Sequence, residues 1–261
     1  MSDLIAKVTL ITGASSGIGA ATAIAFARLG AKLSLTGRNE ANLKRVSEEC
    51  IRVGPAGAEQ PLIVVADLCC DVDVVRLVDA TVEKFGRLDI LINNAGCGEF
   101  ATIETTSLEL YDRQMNINVR SVYHLTMLCV PHLIAARGNI VNVSSLLGTR
   151  SSAKGDAPYA MSKAAVNQMT CCVALELASK GVRVNSVNPG VTVTDFHARS
   201  GITGDDYVKF MVHQRETHPL GRVGDPEDTA QAIVFLASTN ASFITGEHLH
   251  VDGGYHAVCF R

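Results

Sequence analysis

The residue types and spacing that most suggest chemistry are a tyrosine and a lysine four positions apart, Tyr159 and Lys163, in the stretch YAMSK. On a helix, side chains at i and i+4 project from the same face, so the phenol and the ammonium would be neighbours. A tyrosine is a weak acid–base catalyst at neutral pH because its reference pKa is about 10, and lowering that pKa to about 7 requires roughly 4 kcal/mol of preference for the phenolate. One cation at about 4 Å provides roughly that energy at an effective dielectric constant of about 20. Tyr159 is therefore a candidate proton donor and acceptor, provided that other elements hold it beside a reactant.

A glycine-rich turn near the start of the chain could position such a reactant. Lys7 to Thr12 (KVTLIT) predicts a buried strand, and Ala20 to Leu29 predicts a helix. Between them lies the turn Gly13-Ala14-Ser15-Ser16-Gly17-Ile18-Gly19. Strand, glycine turn and helix in this order are the context of a dinucleotide site, where the backbone approaches the diphosphate and the helix N-terminus presents free N–H groups. The spacing is G-x-x-x-G-x-G rather than G-x-G-x-x-G, and a simple loop is the alternative interpretation.

Strands and helices alternate along the rest of the chain. The further predicted strands, most of them continuous apolar runs, are Leu33 to Thr36, Leu62 to Ala66, Leu88 to Asn93, Asn139 to Val143, Val182 to Asn188 and His248 to Val251. The further predicted helices are Glu40 to Cys50, Asp73 to Phe85, Leu108 to Arg137, Tyr159 to Lys180 and Pro226 to Ala237. This pattern predicts an α/β fold with one doubly wound parallel sheet and helices on both faces, a Rossmann fold, in a single domain of residues 1–261. In the least regular segment, Thr194 to Pro219, we expect a short helix over the active site.

Composition excludes several classes of partner and location. The chain has 261 residues, is 47% hydrophobic and carries a net charge of −3. Because it has no run of basic residues, we expect no nucleic-acid partner. No apolar run approaches the roughly 18 residues of a membrane span, Met1 to Val8 lacks a secretory-signal pattern, and Val258 to Arg261 matches no retention or peroxisomal tag. Eight cysteines without a CxxC pair favour a reduced, cytoplasmic protein and predict no metal site.

The adenosine end of a dinucleotide is predicted to lie past the second strand, where the chain continues Thr36-Gly37-Arg38-Asn39. An NAD-binding site usually places a carboxylate here, which accepts from the ribose 2′-hydroxyl. No acidic residue occupies this strand end, and Arg38 is placed to pair with a 2′-phosphate through two hydrogen bonds. The residues therefore favour NADP(H), with NAD(H) possible. The alternative is that Arg38 is an ordinary solvated loop charge.

Five motifs occur in the order seen in short-chain dehydrogenases/reductases. They are Thr12 to Gly19 (TGASSGIG), Asn93 to Gly96 (NNAG), Ser144-Ser145, Tyr159 to Lys163 (YAMSK) and Asn188-Pro189-Gly190. No single motif is decisive, but five in order are highly specific, and the match covers nearly the whole chain. The chain resembles the common branch of this family, whose members have a similar length.

The resemblance implies a catalytic group of four residues. Tyr159 is the proton donor in the reductive direction, and Lys163 lowers its pKa and hydrogen-bonds the nicotinamide ribose. Ser145, at the end of the fifth strand, holds the substrate carbonyl oxygen and stabilises its developing charge. Asn118 holds a water that links Lys163 to solvent. The register of the family selects Ser145 rather than Ser144.

The resemblance also implies a row of cofactor contacts along the strand ends. The implied set is Gly13, Ser15, Ser16, Gly17, Ile18, Gly19, Arg38, Asp67, Leu68, Asn93, Ala95, Gly96, Tyr159, Lys163, Pro189, Gly190, Thr192 and Thr194. In the family Asp67 faces the adenine amino group, although a helix-capping residue would look the same, and Asn93 mainly braces the sheet. Thr192 and Thr194 bind the nicotinamide carboxamide, which orients one ring face toward the substrate. Family members that prefer NADP often carry a second basic residue in the glycine turn, at the position of Ser16.

Together these residues favour an oxidoreductase that transfers hydride between NADP(H) or NAD(H) and a carbonyl or secondary-alcohol substrate, with Tyr159 as acid and base. The competing class is a catalytically idle dinucleotide-binding or scaffold protein on the same fold. Such a protein need not keep all four catalytic residues, so their joint presence favours the enzyme. Cys97, after the NNAG turn, either lines a pocket or is a small spacer.

The substrate stays open, and ketones, steroids, retinoids, sugars and acyl-thioesters are all accommodated by similar chains. The residues that could line an apolar pocket are Phe100, Leu146, Leu147, Phe196, Met211 and His213.

The resemblance further implies a homo-oligomer, a tetramer with pairwise two-fold contacts. The segments Leu108 to Arg137 and Tyr159 to Lys180 carry more apolar residues than one sheet face can cover. Examples are Val122, Leu125, Leu128, Val130, Val166, Met169, Val173 and Leu177. The alternative is that the sheet and its neighbouring helices bury them all. The apolar tail, with Tyr255, Val258 and Phe260, could cover a neighbouring subunit's pocket.

Overall fold

The strands of the protein form one sheet in which every neighbouring pair runs parallel. The computed structural model describes residues 4–151 and 154–258. Within them the strand order is β3-β2-β1-β4-β5-β6-β7. The strands are β1 Val8–Ile11, β2 Lys32–Gly37, β3 Leu62–Val65, β4 Ile90–Asn93, β5 Asn139–Val143, β6 Arg183–Pro189 and β7 His248–Val251. Strand order reverses between β1 and β4, as in a doubly wound Rossmann sheet, so the predicted fold class is confirmed.

Helices cover both faces of this sheet and bury one apolar cluster on each. They are α1 Gly17–Arg28, α2 Glu40–Val53, α3 Asp71–Phe85, α4 Leu108–Met115, α5 Ser121–Ala136, α6 Ala157–Leu177, α7 Phe196–Arg199, α8 Gly204–Thr217 and α9 Pro226–Ala237. On one face α1 and α9 contribute Phe26 and Ile233. On the other face α3 and α5 contribute Leu77 and Leu125. The two clusters explain why most strands are apolar on both sides.

The structure changes two of the predicted helices. The predicted helix from Leu108 to Arg137 contains a π-helical turn, Asn116–Arg120, between α4 and α5, and such turns occur frequently at functional sites. The segment Thr194 to Pro219 holds two helices, α7 and α8, rather than one. The other predicted elements are present, with ends shifted by a few residues. No helix in the described part of the chain is both long and apolar enough to cross a membrane.

The apolar residues that predicted an oligomer mostly serve the core of their own chain. Val122, Leu125, Val166 and Leu177 are buried, and Leu128, Val130 and Val173 pack partly against the same cluster. The sheet and its neighbouring helices therefore bury four of the eight examples, whereas Leu128, Val130, Met169 and Val173 are only partly buried. The oligomer stays a prediction. Other apolar side chains of α5 and α6 point outward instead, namely Tyr123, Met127, Met161 and Leu175.

Candidate functional site

A cleft of about 1010 Å³ runs along the carboxyl ends of the strands. Loops that follow β1, β2, β3, β4, β5 and β6 all contribute to its walls. In open α/β sheets ligands bind in this crevice, where the strand order reverses. The cleft is at the upper end of the volumes typical of ligand pockets.

Most of the predicted cofactor-binding residues lie on this cleft. The sixteen that line it are Gly13, Ser15, Ser16, Gly17, Ile18, Arg38, Asp67, Leu68, Ala95, Gly96, Tyr159, Lys163, Pro189, Gly190, Thr192 and Thr194. Gly19 and Asn93, the other two residues of the predicted set, lie outside this lining. A Cβ on Gly19 would lie 2.3 Å from the Gly13 carbonyl oxygen, so this glycine lets α1 approach the turn. Asn93 Nδ2 donates to Thr126 Oγ1 at 3.1 Å and Asn142 Oδ1 at 2.9 Å, so it braces the sheet as predicted.

The glycine turn has the geometry of an anion cradle. Gly13 and Gly17 have φ of +62° and +53°, in the left-handed region that favours glycine. A Cβ on Gly17 would lie 3.0 Å from Thr194 Cγ2, so a larger residue would press against the opposite wall. Ser16 is the N-cap of α1, and its side chain makes no capping hydrogen bond. The first N–H groups of α1 are therefore available to an anion such as a dinucleotide diphosphate.

Tyr159 lies in the first turn of α6 and is buried at the cleft wall. Burial raises the pKa of Tyr159, and a hydrogen bond with the Ser145 side chain lowers it by a smaller amount. A phenol with a raised pKa stays protonated at neutral pH. Ser145 is thus a hydrogen-bond partner of the Tyr159 side chain.

Lys163, one helical turn after Tyr159, is only 5% exposed. Its Nζ donates to the Val143 carbonyl oxygen at 2.9 Å and lies 5.8 Å from the centre of the Tyr159 ring. Burial lowers the pKa of Lys163 to about 8. The pair shares one helix face as predicted, but burial, rather than the lysine charge, dominates the pKa of Tyr159 within the protein itself.

Ser144 and Ser145, which adjoin in the sequence, have different surroundings. Ser144 Oγ donates to the Lys163 carbonyl oxygen at 3.0 Å and so ties β5 to α6. Ser145 Oγ accepts from the Leu147 N–H at 3.1 Å and faces Tyr159. The geometry favours Ser145 as the substrate-binding hydroxyl.

Asn118 lies in the π-helical turn and is buried outside the cleft lining. Its Oδ1 accepts from the Cys97 N–H at 2.9 Å, and its Nδ2 donates to the Cys97 carbonyl oxygen and to Ser162 Oγ, both at 2.9 Å. Cys97 itself lines the cleft, which favours the pocket interpretation of that residue. The side chain of Asn118 therefore positions the loop that follows β4.

Just past β2, Arg38 lines the cleft, is exposed and makes no hydrogen bond or ion pair with the residues that the structure describes. Asp67 Oδ1 accepts from the Cys69 N–H at 2.9 Å and closes a tight turn. The N-cap of α3 is Cys70, so the helix-capping interpretation of Asp67 does not apply.

A wall of aromatic rings packs beside the ring of Tyr159. The ring centres of Phe100 and Phe196 lie 5.6 and 5.7 Å from that of Tyr159, and His197 continues the wall to Phe210 at 4.9 Å. Of the predicted pocket residues, four line the cleft, namely Phe100, Leu146, Leu147 and Phe196. Met211 and His213, on α8, do not.

Several cleft residues were missed by the sequence reasoning. They include Glu99, Arg113, His197, Arg199, Phe210 and Gln214. Most of them lie on α7 and α8, where no sequence periodicity indicated which side chains face inward.

The C-terminal tail packs on its own subunit. Tyr255 is buried and lines the cleft of its own chain. Arg150 Nη1 donates to the carbonyl oxygens of Tyr255, His256 and Val258 at 3.0, 2.9 and 3.0 Å. Tyr255 therefore packs within its own chain rather than over a neighbouring subunit's pocket. For Val258, which is only partly buried, the call stays a prediction, and Phe260 lies outside the described residues.

Comparison with known proteins finds relatives along nearly the whole chain. A family model described as enoyl-(acyl carrier protein) reductase matches residues 13–256. The chain is 39% identical over 254 residues to the 3-oxoacyl-[acyl-carrier-protein] reductase of Thermotoga maritima, covering 95% of this chain and 97% of that one. It is 36% identical over 249 residues to the L-fucose dehydrogenase of Bos taurus, covering 95% and 88%.

A solved structure, the 3-ketoacyl-(acyl-carrier-protein) reductase of Brucella melitensis complexed with NADH, superimposes with a TM-score of 0.87. Its sequence is 36% identical, and the alignment covers 97% of this chain and 99% of that one. With a family model and relatives above 30% identity spanning nearly its whole length, the chain belongs to the short-chain dehydrogenase/reductase family of oxidoreductases.

Proposed function

We propose that the protein, as a single domain, transfers hydride between NADP(H) and a carbonyl or secondary-alcohol substrate. The observation that carries this proposal is the convergence of Ser145, Tyr159 and Lys163 on one cleft with a glycine turn suited to a diphosphate. A catalytically idle scaffold would not require a buried tyrosine and a buried lysine at that place. Turnover of NADPH or NADP⁺ against a panel of ketones and alcohols tests the proposal.

The residues of the chain divide the chemistry between them. The bound nicotinamide supplies or accepts the hydride. In reduction, Tyr159 gives its hydroxyl proton to the substrate oxygen, and the Ser145 hydroxyl donates a hydrogen bond to the same oxygen as negative charge develops. Lys163 donates to the nicotinamide ribose and offers its positive charge to the phenolate that Tyr159 becomes. Because burial raises the pKa of Tyr159, its hydroxyl is protonated at neutral pH before the transfer.

The aromatic wall beside Tyr159 favours an apolar substrate. Phe100, Phe196 and Phe210 present ring faces and edges with few hydrogen-bonding groups, which suits an alkyl or ring ketone better than a polyhydroxylated sugar. We therefore expect cyclic and aryl ketones to be reduced with higher kcat/KM than aldoses are oxidised. The reverse order across the panel would contradict this substrate class.

Arg38 supports NADP(H) as the cofactor because its guanidinium is free of protein partners in the described residues and faces the adenosine end of the cleft. Replacing it by aspartate (Arg38→Asp) should weaken NADPH binding by roughly 10- to 150-fold, since hydrogen bonds to charged groups contribute about 1.5–3 kcal/mol. NADH should bind the variant better than NADPH does, because a carboxylate accepts from the ribose hydroxyls.

The Kd of both cofactors for wild type and variant measures this effect. Arg45→Asp, the same charge change on the exposed face of α2, is the matched control. If the wild type already binds NADH more tightly than NADPH, the assignment of the cofactor is wrong.

We also propose a homo-oligomer, a tetramer, and the exposed apolar side chains of α5 and α6 support it. Leu175 is 82% exposed and Tyr123 is 60% exposed, and Met127 and Met161 on the same two helices are exposed as well. Light scattering should give a mass about four times the 27.7 kDa of one chain. Leu175→Glu should lower that mass, because a carboxylate is costly in an apolar contact. A wild-type mass of one chain at micromolar concentration would exclude the oligomer.

A further inference from the structure

Three arginines line the cleft, and only one of them has a carboxylate partner. Arg113 pairs with Glu99 at 2.9 Å. Arg38 and Arg199 pair with no acidic side chain among residues 4–151 and 154–258. An arginine fork without a carboxylate, inside a cleft, is suited to bind an anionic group of a ligand.

Arg199 reaches the glycine turn from the opposite wall. It is the last residue of α7, and its Nη1 lies 3.5 Å from Ser16 Oγ. That distance is longer than an ordinary N–H···O hydrogen bond, so the serine alone does not satisfy the guanidinium. The neighbouring contact between Gly17 and Thr194 shows that the segment leading to α7 already lies against the turn.

Arg38 and Arg199, the two cleft arginines without a carboxylate partner, flank the glycine turn on different sides. Ser15 borders the end of β2, since its Oγ would lie 3.2 Å from a Cβ on Gly37, the residue before Arg38. Ser16, the N-cap of α1, borders Arg199. The N-terminus of α1 is where free N–H groups meet a diphosphate, and the end of β2 is where the adenosine ribose is read. Arg199 therefore lies on the diphosphate side and Arg38 on the ribose side.

We propose that Arg199 binds the diphosphate of the dinucleotide cofactor, closing α7 over it from the side opposite the glycine turn. This assignment rests on the proposed function, since it takes a dinucleotide as the ligand. In this assignment α7 supplies a positive charge beside the glycine turn, where Ser16 itself is neutral.

The same contact links cofactor binding to the substrate pocket. α7 begins with Phe196, whose ring lies 5.7 Å from that of Tyr159 and closely against Gly98. When Arg199 holds the diphosphate, α7 is held in the position that completes the aromatic wall. We expect the loss of Arg199 to raise the KM for the substrate as well as the Kd for the cofactor.

Titration of NADH and NADPH against Arg199→Ala and Arg199→Lys, by quenching of nicotinamide fluorescence, tests the assignment. Both cofactors should bind Arg199→Ala more weakly by about tenfold, the scale of a charge-assisted contact, and by similar factors, because both carry the diphosphate. Arg199→Lys should recover part of the affinity. Arg215→Ala, the same charge change on the exposed face of α8, should leave both Kd values unchanged.

The outcomes separate the possible errors. A loss confined to NADPH would assign Arg199 to the 2′-phosphate and overturn the diphosphate assignment. Unchanged affinity for both cofactors would overturn any phosphate role for Arg199 while leaving the proposed function intact. A wild-type protein that binds neither cofactor would overturn the proposed function, and this assignment with it.

Discussion

Replacing Tyr159 by phenylalanine will reduce turnover by about 10²- to 10⁴-fold, the usual contribution of a positioned general acid. The cofactor Kd will change little, because the phenyl ring keeps its contacts with Phe100 and Phe196 and only the hydroxyl is lost. The Ser145 hydroxyl keeps its bond to the Leu147 N–H, so the wall of the cleft is preserved. Steady-state kinetics and cofactor titration on the same preparation give both quantities.

Tyr207→Phe, on α8 and outside the cleft lining, removes a phenol that has no assigned role and serves as the control. Wild-type turnover in Tyr159→Phe would refute the acid–base role. A parallel loss of cofactor binding would indicate that the ring, rather than the proton, matters.

The pH dependence of the two directions should differ in sign. Burial raises the pKa of Tyr159, so the phenol is the main form at neutral pH. Reduction consumes the phenol, and its rate should be flat through neutral pH and fall as the pH approaches the raised pKa. Alcohol oxidation needs the phenolate, and its rate should climb over the same alkaline range. Matching profiles in both directions would mean that a different group carries the proton.

The sequence was sufficient to predict the fold because the signals for it are local. Continuous apolar runs such as Leu62 to Ala66 predict parallel strands, and the turn from Gly13 to Gly19 predicts where along the cleft a diphosphate would bind. Five ordered motifs then identify the candidate catalytic residues, of which Ser145 follows β5 and Tyr159 and Lys163 lie on α6. Each of these features is specified within a few neighbouring residues, so no knowledge of tertiary contacts was required.

Other parts of the site depend on contacts between distant segments. The π-helical turn that carries Asn118 differs from an α-helix by its hydrogen-bond register, which side-chain periodicity does not report. The orientation of Arg199 toward Ser16, 183 positions earlier, is set by packing of an irregular segment. The pKa of Tyr159 depends mainly on desolvation by all the residues that bury it. The charge of Lys163 alone therefore predicted the wrong direction for this pKa.

Replacing Lys163 by methionine (Lys163→Met) should greatly reduce cofactor binding and turnover without destabilising the fold at neutral pH. The methionine side chain has a similar length and leaves the apolar surroundings filled, but it has no charge and no donor. Without the ammonium, the nicotinamide ribose loses a donor and the phenolate of Tyr159 loses its nearby cation. We expect a weaker cofactor Kd and a fall in turnover of about 10²- to 10³-fold, the usual effect of removing one donor that stabilises developing charge. Lys180→Met, at an exposed lysine just past α6, should change neither.

The stability of the same variant should depend on pH in a defined direction. Burial lowers the folded-state pKa of Lys163 from 10.5 to about 8. Between these values the unfolded chain binds more protons than the folded one, so the contribution of Lys163 to stability rises with pH. Below pH 8 the folded wild type bears the full free-energy cost of burying the charged ammonium, about 3 kcal/mol if each pKa unit is worth about 1.4 kcal/mol. The methionine removes this cost, but it also leaves the Val143 carbonyl oxygen without its donor, which costs about 1–3 kcal/mol.

Lys163→Met should therefore be at least as stable as the wild type at pH 7. As the pH rises from 8 to 10, the free energy of unfolding of the wild type should increase relative to that of the variant. Urea unfolding of both proteins at several pH values measures this difference, and other titrating groups largely cancel in it. A difference that stays constant with pH would mean that the folded-state pKa of Lys163 is not lowered.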